Sequence, residues 1–175
     1  MYQKIVLLGY MGSGKTIIAK NLSEKLDIKC FDLDDSIQNE ENLTVKSIFK
    51  NKGELYFRKL ENQLFNKFIN SDENFILSLG GGTPCYFDNH LLLQNEGVIS
   101  FYLKGSIETL SQRLISEKES RPLISNLNET EINNFIAKHL FERNFFYSHA
   151  SHIINIDKKS ISQIVEEIIP NTYIK

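Results

Sequence analysis

Residues 5–16 read Ile-Val-Leu-Leu-Gly-Tyr-Met-Gly-Ser-Gly-Lys-Thr, and this stretch decides the fold. Its last eight residues, the phosphate loop, fit the pattern G-x-x-x-x-G-K-[ST] directly behind an apolar run. The glycines let backbone N–H groups turn toward a triphosphate, and the helix predicted over 16–26 adds the positive end of its dipole. Lys15 is expected to reach the terminal phosphates, and the Thr16 hydroxyl suits Mg²⁺. The pattern predicts a triphosphate site and leaves the second substrate open.

Composition narrows the function classes. The 175 residues are 41% hydrophobic and carry a formal net charge of -2. A chain of this size is expected to form a single domain over 1–175. No basic face or lysine run points to nucleic acid, and no apolar run is long enough for a membrane span or resembles a signal peptide. These observations favour a cytoplasmic protein, in which Cys30 and Cys85 are expected to be free thiols.

Apolar runs alternate with helical segments along the chain. The predicted strands cover residues 4–8, 28–32, 75–79, 98–103 and 152–156. This alternation predicts an α/β fold with a parallel sheet covered by helices on both faces.

Polar residues at helix starts predict the helix boundaries. The predicted caps are Asp35 after the second strand, Thr44, Asp88 for a helix over 89–96, Ser106, and Ser160 with Gln163 in a capping box. In the segment 54–70, Leu60, Leu64 and Phe68 recur every four residues, so one face of that helix is expected to be buried.

The segment 116–130 is polar, contains Arg121-Pro122 and has no clean period. We interpret it as a mobile lid, with an ordinary surface loop as the alternative.

Two carboxylates end the second predicted strand. Carboxyl ends of parallel strands face the ligand crevice, and the spacing lets both Asp32 and Asp34 project toward it. One carboxylate could hold Mg²⁺ through water while the other accepts a hydroxyl proton. A helix cap is the alternative role for Asp34 or Asp35, and Asp35 is preferred for it.

Two arginines are candidates for binding a carboxylate. Glu54, Arg58 and Glu61 share a helix face, which indicates either a surface ion-pair ladder or an Arg58 clamp oriented by Glu61. Arg143 lies among aromatic residues of a later predicted helix. Its side chain could be solvated, or it could be a second group that binds the carboxylate.

Residues 80–82, the glycine triple, follow the third predicted strand. Three bare backbone units would let a polar ring with several hydroxyl groups approach closely. A flexible turn is the alternative, but the position at a strand end favours the site.

In order and spacing, and over essentially the whole chain, these motifs resemble those of shikimate kinases. The matching segments are 9–16, 32–34, 57–61, 79–82, 121–123 and 142–143. The resemblance implies transfer of the γ-phosphate of ATP to the 3-hydroxyl of shikimate, a step toward chorismate and the aromatic amino acids. It also implies a three-layer αβα fold like that of nucleoside monophosphate kinases, with strand order 2-3-1-4-5, and an enzyme that uses Mg²⁺. We expect a monomer.

The resemblance assigns roles to individual residues. Asp34 is the implied base, Lys15 and Arg121 complete the catalytic group, and Thr16 with Asp32 (through water) holds the metal, assisted by Ser78. The implied ATP contacts are Gly12, Ser13, Gly14, Lys15, Thr16, Ile17, Arg113 and Arg121. The implied shikimate contacts are Asp34, Arg58, Gly80, Gly81, Gly82 and Arg143, with Phe49 and Phe57 as walls, and the acceptor-binding region covers about 33–62. The segment 157–160 lacks the frequent arginine-proline adenine loop of the family, so its adenine contacts stay open.

Three other functions are compatible with a phosphate loop. A kinase of another small polyol acid, such as gluconate, would use the same scaffold, but the two arginines and the glycine triple favour shikimate. The acceptor motifs fit a nucleoside monophosphate kinase less well. A non-catalytic nucleotide-binding module would be expected to lack Lys15, Asp34 or an arginine, and all are present.

Overall fold

Five parallel strands form the central sheet of the computed structural model, which describes residues 3–117 and 124–172. The strands are β1 Lys4–Leu8, β2 Cys30–Asp32, β3 Phe75–Ser78, β4 Val98–Lys104 and β5 His152–Asn155. Their order in the sheet is β2-β3-β1-β4-β5, so the predicted α/β fold and strand order are confirmed. The register sets Ser78 beside both Leu7 and Asp32, so β1, β2 and β3 end next to one another.

Helices connect the strands and cover the sheet. They are α1 Lys15–Leu26, α2 Leu33–Glu41, α3 Val45–Lys52, α4 Glu54–Ile69, α5 Asn89–Leu92, α6 Ile107–Ser116, α7 Glu129–Tyr147 and α8 Ile161–Ile168, with 3₁₀ turns at Thr83–Cys85 and Ile169–Asn171. None of the helices within the described ranges is both long and apolar enough to cross a membrane.

The central strand β1 is buried on both of its faces. Val6 and Leu8 point into one apolar cluster, which α2, α3 and α4 cover, while Ile5 and Leu7 point into a second, covered by α1 and α8. A strand that is buried on both faces has a continuous apolar sequence, which is why residues 5–8 predict β1. A third, smaller cluster joins α6 and α7 next to the phosphate loop.

Several predicted helix boundaries are confirmed. The side chains of Thr44, Ser106 and Ser160 each accept a backbone N–H three residues later, and Ser160 with Gln163 forms the predicted capping box. The apolar side of α4 packs into the first cluster, as its four-residue repeat predicts.

Two predicted caps are wrong. The cap of α2 is Asp32, whose carboxylate accepts from Asp34 N, whereas Asp35 lies inside the first turn and is exposed. Asp88 has a φ of 56°, and its side chain makes no capping hydrogen bond within residues 3–117. In this left-handed conformation Asp88 precedes only one turn of helix, α5, instead of the predicted helix over 89–96.

Candidate active site

The phosphate loop lies between β1 and α1. Gly12 and Gly14 have φ values of 79° and 90°, a region that favours glycine, so the loop needs both residues. Lys15 Nζ donates to the carbonyl oxygens of Gly9 at 2.9 Å and Tyr10 at 3.1 Å. The loop therefore curls around its own lysine at the start of α1, the end of the helix that attracts phosphate.

Oxygen donors for a hard cation lie beside the loop. Thr16 Oγ1 donates to Asp32 Oδ2 at 2.9 Å, and the hydroxyl of Ser78 is buried without a hydrogen-bond partner in the described part of the chain. The described ranges contain no cluster of three or more His, Cys, Asp or Glu side chains suited to a metal. Hydroxyl and carboxylate oxygens next to a phosphate loop fit Mg²⁺, which keeps several waters and takes phosphate oxygens as ligands.

Asp34 has the properties of a general base. Its Oδ1 atom is buried and has no hydrogen-bond partner among the described residues. Burial, and after it the negative charges of Glu61 and Asp32, raise the pKa of Asp34 to about 6, against the opposing charges of Lys15 and Arg58. A carboxylate of this pKa is deprotonated at neutral pH and is still basic enough to accept a proton.

Arg58 is held by two carboxylates of its own helix. Its Nη1 donates to Glu61 Oε2 at 2.6 Å, and its Nη2 donates to Glu54 Oε1 at 3.3 Å. Glu61 is 0% exposed and also accepts from the Thr83 hydroxyl. The Arg58–Glu61 pair is therefore not a surface ion pair, so the alternative of a surface ladder is wrong for it. The Arg58–Glu54 pair is partly exposed and agrees with a surface ladder.

The glycine triple brings Asp34 and Arg58 to the same place. A Cβ atom on Gly80 would lie 2.9 Å from both Asp34 Oδ1 and Glu61 Oε1. A Cβ atom on Gly82 would lie 2.8 Å from both terminal nitrogens of Arg58. These distances leave no room for a side chain, so Gly80 and Gly82 are needed for the close approach of charged groups from α2 and α4.

Arg143 reaches the same loop from α7. Its Nη1 donates to the carbonyl oxygen of Gly81 at 3.2 Å, and its guanidinium carbon lies 5.5 Å from the ring centre of Tyr10. Asp34, Arg58 and Arg143 therefore surround the glycine triple, and we call the space between them the acceptor pocket.

A cavity of about 740 Å³ connects the phosphate loop to this triple. The predicted site residues on its walls are Gly12, Ser13, Gly14, Lys15, Thr16, Ile17, Asp32, Asp34, Gly80, Gly81 and Arg113. Lys159 and Ser160 also line it, and they lie within the segment whose adenine contacts the sequence leaves open. Arg113 Nη1 donates to the carbonyl oxygens of Gly12 and Ser13 at 3.2 and 3.4 Å, which places it against the phosphate loop.

Phe49 and Phe57 pack on each other with ring centres 4.7 Å apart, near the Arg58 guanidinium. Phe57 is buried in the core, and neither ring lines the cavity. Their predicted role as walls of the acceptor pocket stays a prediction. Arg121 and the centre of the predicted lid lie outside the described residues, so their roles also stay predictions.

Three residues around the acceptor pocket were not identified from sequence. Tyr147 donates to the Gly81 carbonyl at 2.5 Å, Thr83 bonds to Glu61, and the Tyr86 ring centre lies 4.4 Å from the Arg58 guanidinium carbon. Tyr147 lies four residues after Arg143 on one helix, a spacing that could have identified it. No sequence signal points to Tyr86.

Comparison with known proteins identifies relatives of this chain. The family model described as "Shikimate kinase" matches residues 11–172. The shikimate kinase of Flavobacterium johnsoniae is 53% identical over 167 residues, covering 95% of this chain and 97% of that protein. The crystal structure of shikimate kinase from Bacteroides thetaiotaomicron superposes with a TM-score of 0.87 at 32% identity, covering 96% of this chain and 97% of that chain. A structure of shikimate kinase from Acinetobacter baumannii in complex with shikimate gives a TM-score of 0.85 at 26% identity, covering 100% and 97%. The motifs, the fold and these relatives agree: the chain belongs to the shikimate kinase family.

Proposed function

We propose that this ATP-dependent kinase transfers the γ-phosphate of ATP to the 3-hydroxyl of shikimate, which it holds in the acceptor pocket. One observation carries the proposal: two guanidinium groups and a buried carboxylate oxygen, which has no hydrogen-bond partner among the described residues, surround a glycine triple that adjoins the phosphate loop. Guanidinium forks suit a carboxylate, and the bare glycine backbone suits a ring with several hydroxyl groups. Shikimate offers both of these features in one small molecule.

Asp34 acts as the base in this proposal. The acceptor oxygen forms a bond to the γ-phosphorus, the bond from that phosphorus to the bridging oxygen of ADP breaks, and the hydroxyl proton moves to Asp34. Arg58 and Arg143 hold the shikimate carboxylate and so orient the hydroxyl, which lowers the entropic cost of the reaction. Lys15 and the N-terminal end of α1 offset charge on the phosphates.

Thr16 and Asp32, the latter through water, would hold Mg²⁺, with Ser78 nearby. When bound, this ion offsets negative charge on the phosphates of ATP. Gly12, Ser13, Gly14, Ile17 and Arg113 are assigned to the nucleotide because they line its side of the cavity. Arg121 belongs to the proposal on sequence grounds, as a lid residue that reaches the phosphates.

An ADP-release assay with a panel of acceptors tests the proposal. With ATP and Mg²⁺ present, we expect turnover with shikimate and at most background rates with gluconate or nucleoside monophosphates. Lys15→Ala serves as the inactive control, because it removes the positive charge at the terminal phosphates. Preference for gluconate would reassign the acceptor, and ATP binding without turnover on shikimate would indicate a non-catalytic module.

We also propose a monomeric, cytoplasmic enzyme that acts on small molecules and not on nucleic acid or membranes. The formal net charge of -2 and the two free cysteines support this setting. Light scattering after size exclusion would detect a dimer, which would contradict the monomer.

A further inference from the structure

Tyr147 is the last residue of α7, and its side chain is buried against the glycine triple. Tyr147 is 0% exposed, and its hydroxyl donates to the carbonyl oxygen of Gly81 at 2.5 Å. Arg143, one helical turn earlier, donates to the same oxygen at 3.2 Å. One helix therefore holds one carbonyl of the acceptor pocket with two side chains, of which Arg143 also belongs to the proposed carboxylate clamp.

The Gly81 carbonyl differs from its two neighbours in how it is held. The carbonyl of Gly80 accepts from Thr83 N at 3.1 Å, and that of Gly82 accepts from Cys85 N at 2.9 Å. These two bonds belong to the turn itself, whereas the Gly81 carbonyl accepts from α7. The peptide unit that follows Gly81 is planar and trans, so fixing its oxygen also fixes the direction of the Gly82 N–H.

Because Tyr147 also donates to the Gly81 carbonyl, Arg143 does not have to satisfy this oxygen alone. The Gly81 carbonyl is partly buried and needs a hydrogen-bond donor, and Tyr147 supplies one that carries no charge. Burial raises the pKa of the Tyr147 hydroxyl far above its ordinary value, so the group stays a donor at any working pH. Without it, the carbonyl would depend on Arg143, whose guanidinium must also bind the carboxylate of the acceptor.

We propose that Tyr147 is a positioning residue for shikimate: it anchors the Gly81 peptide and leaves the Arg143 guanidinium available for the substrate carboxylate. This inference rests on the proposed function. It assigns Tyr147 no contact with the substrate, because the residue acts through Gly81 and Arg143.

Tyr147→Phe tests the inference, since it removes the hydroxyl and keeps the ring. The loss of one neutral hydrogen bond predicts that the KM for shikimate rises about fivefold to tenfold. The KM for ATP should stay within about twofold and kcat should change less than the KM for shikimate, because neither the phosphate loop nor Asp34 is touched. Calorimetric titration with shikimate should show the same loss of affinity.

Tyr102→Phe is the matched control. Tyr102 is a buried tyrosine whose ring centre lies 5.0 Å from that of Tyr147, and within the described ranges its hydroxyl makes no hydrogen bond to the glycine triple. Both KM values of this control should equal those of the wild type.

Two results would overturn the inference. An unchanged KM for shikimate in Tyr147→Phe would show that the hydroxyl does not position the pocket. Parallel increases in both KM values together with a lower Tm would show that Tyr147 is only a packing residue. A failure of the proposed function looks different, since the wild type itself would then release no ADP with shikimate.

Discussion

The phosphate loop and the acceptor pocket meet at one edge of the sheet but are built in opposite ways. The loop is a run of eight consecutive residues in which Gly9, Gly12 and Gly14 have positive φ values and Lys15 supplies the positive charge. The acceptor pocket combines side chains from α2, α4 and α7, separated by as much as 109 residues between Asp34 and Arg143 (143 minus 34), around the glycine triple. The loop is therefore a local structure, whereas the pocket depends on tertiary packing.

The contacts of the two regions show where a buried ion pair lies. Lys15 donates to two backbone carbonyls of its own loop. In the acceptor pocket, Arg58 is paired with Glu61, a carboxylate that is 0% exposed. A buried charge that loses its partner destabilises the fold strongly. Substitutions in the acceptor pocket should therefore change both binding and stability, and experiments there need variants that separate the two.

The largest expected effect comes from Asp34→Asn. This substitution keeps the shape of the side chain but removes the proposed proton acceptor, so kcat should fall roughly 10²-fold or more while ATP affinity stays near that of the wild type. Steady-state kinetics with a separate nucleotide-binding measurement checks both parts. Asp35→Asn is the matched control, because Asp35 is exposed one residue away and should be neutral. Unchanged turnover in Asp34→Asn would remove the base assignment.

Arg58 variants should show the next largest effect. Arg58→Lys keeps a positive charge for Glu61 but loses the planar fork, so the KM for shikimate should rise about tenfold or more with the ATP KM unchanged. Arg58→Ala should weaken shikimate binding as well, and it should also destabilise the fold by about 3–5 kcal/mol, because it leaves Glu61 buried without its guanidinium. Kinetics and thermal unfolding of both variants separate the two effects. An unaltered shikimate KM in Arg58→Lys would contradict the clamp.

The same contrast explains what sequence can predict. The phosphate loop and β1 could be predicted from the residues themselves, because a contiguous motif and a fully apolar strand need no knowledge of distant contacts. The strand order is predicted only by the family resemblance. The resemblance also favours the carboxylate-binding roles proposed for Arg58 and Arg143, because helix spacing alone leaves a surface ladder and a solvated arginine open.

The errors have physical causes. Three aspartates stand close together at the end of β2, and which of them caps α2 depends on where the strand stops, which composition does not reveal. The cap predicted at Asp88 is wrong because the backbone of this residue is in the left-handed region, where its side chain makes no capping hydrogen bond to the described residues. Tyr147 and its partner Gly81 are 66 residues apart, so their hydrogen bond depends on how α7 packs and no local pattern contains it.

The pH dependence should reflect the environment of Asp34. The proposed base must be deprotonated to accept a proton, and the pKa of Asp34 is raised to about 6 by burial and then by Glu61 and Asp32. The value of kcat/KM should therefore fall about tenfold between pH 7 and pH 5. A flat profile over this range would exclude a base with this pKa.

The contribution of Asp34 to the free energy of unfolding should change with pH in the opposite direction to kcat/KM. A carboxyl group whose pKa is higher in the folded state than in the unfolded state binds more protons when folded, so its contribution to stability improves as pH falls through 6. Asp34→Asn should then raise Tm at pH 7.5, and the gain should shrink toward pH 5. Asp35→Asn should show no such pH-dependent gain, because that side chain is exposed.

The smallest effects should come from alanine substitutions in the glycine triple, and they separate what the protein needs from what the substrate needs. In Gly82→Ala the new Cβ would lie 2.8 Å from the Arg58 nitrogens, which Glu61 already holds, so we expect about 1–3 kcal/mol of destabilisation and a weaker clamp. In Gly81→Ala the nearest atom, Arg143 Nη1, is 3.5 Å away, so Tm should stay near that of the wild type. If the shikimate ring packs on Gly81, its KM should nevertheless rise a few-fold. Equal Tm losses in the two variants would mean that packing alone explains why residues 80–82 are glycines. An unchanged shikimate KM in Gly81→Ala would place the shikimate ring elsewhere in the pocket.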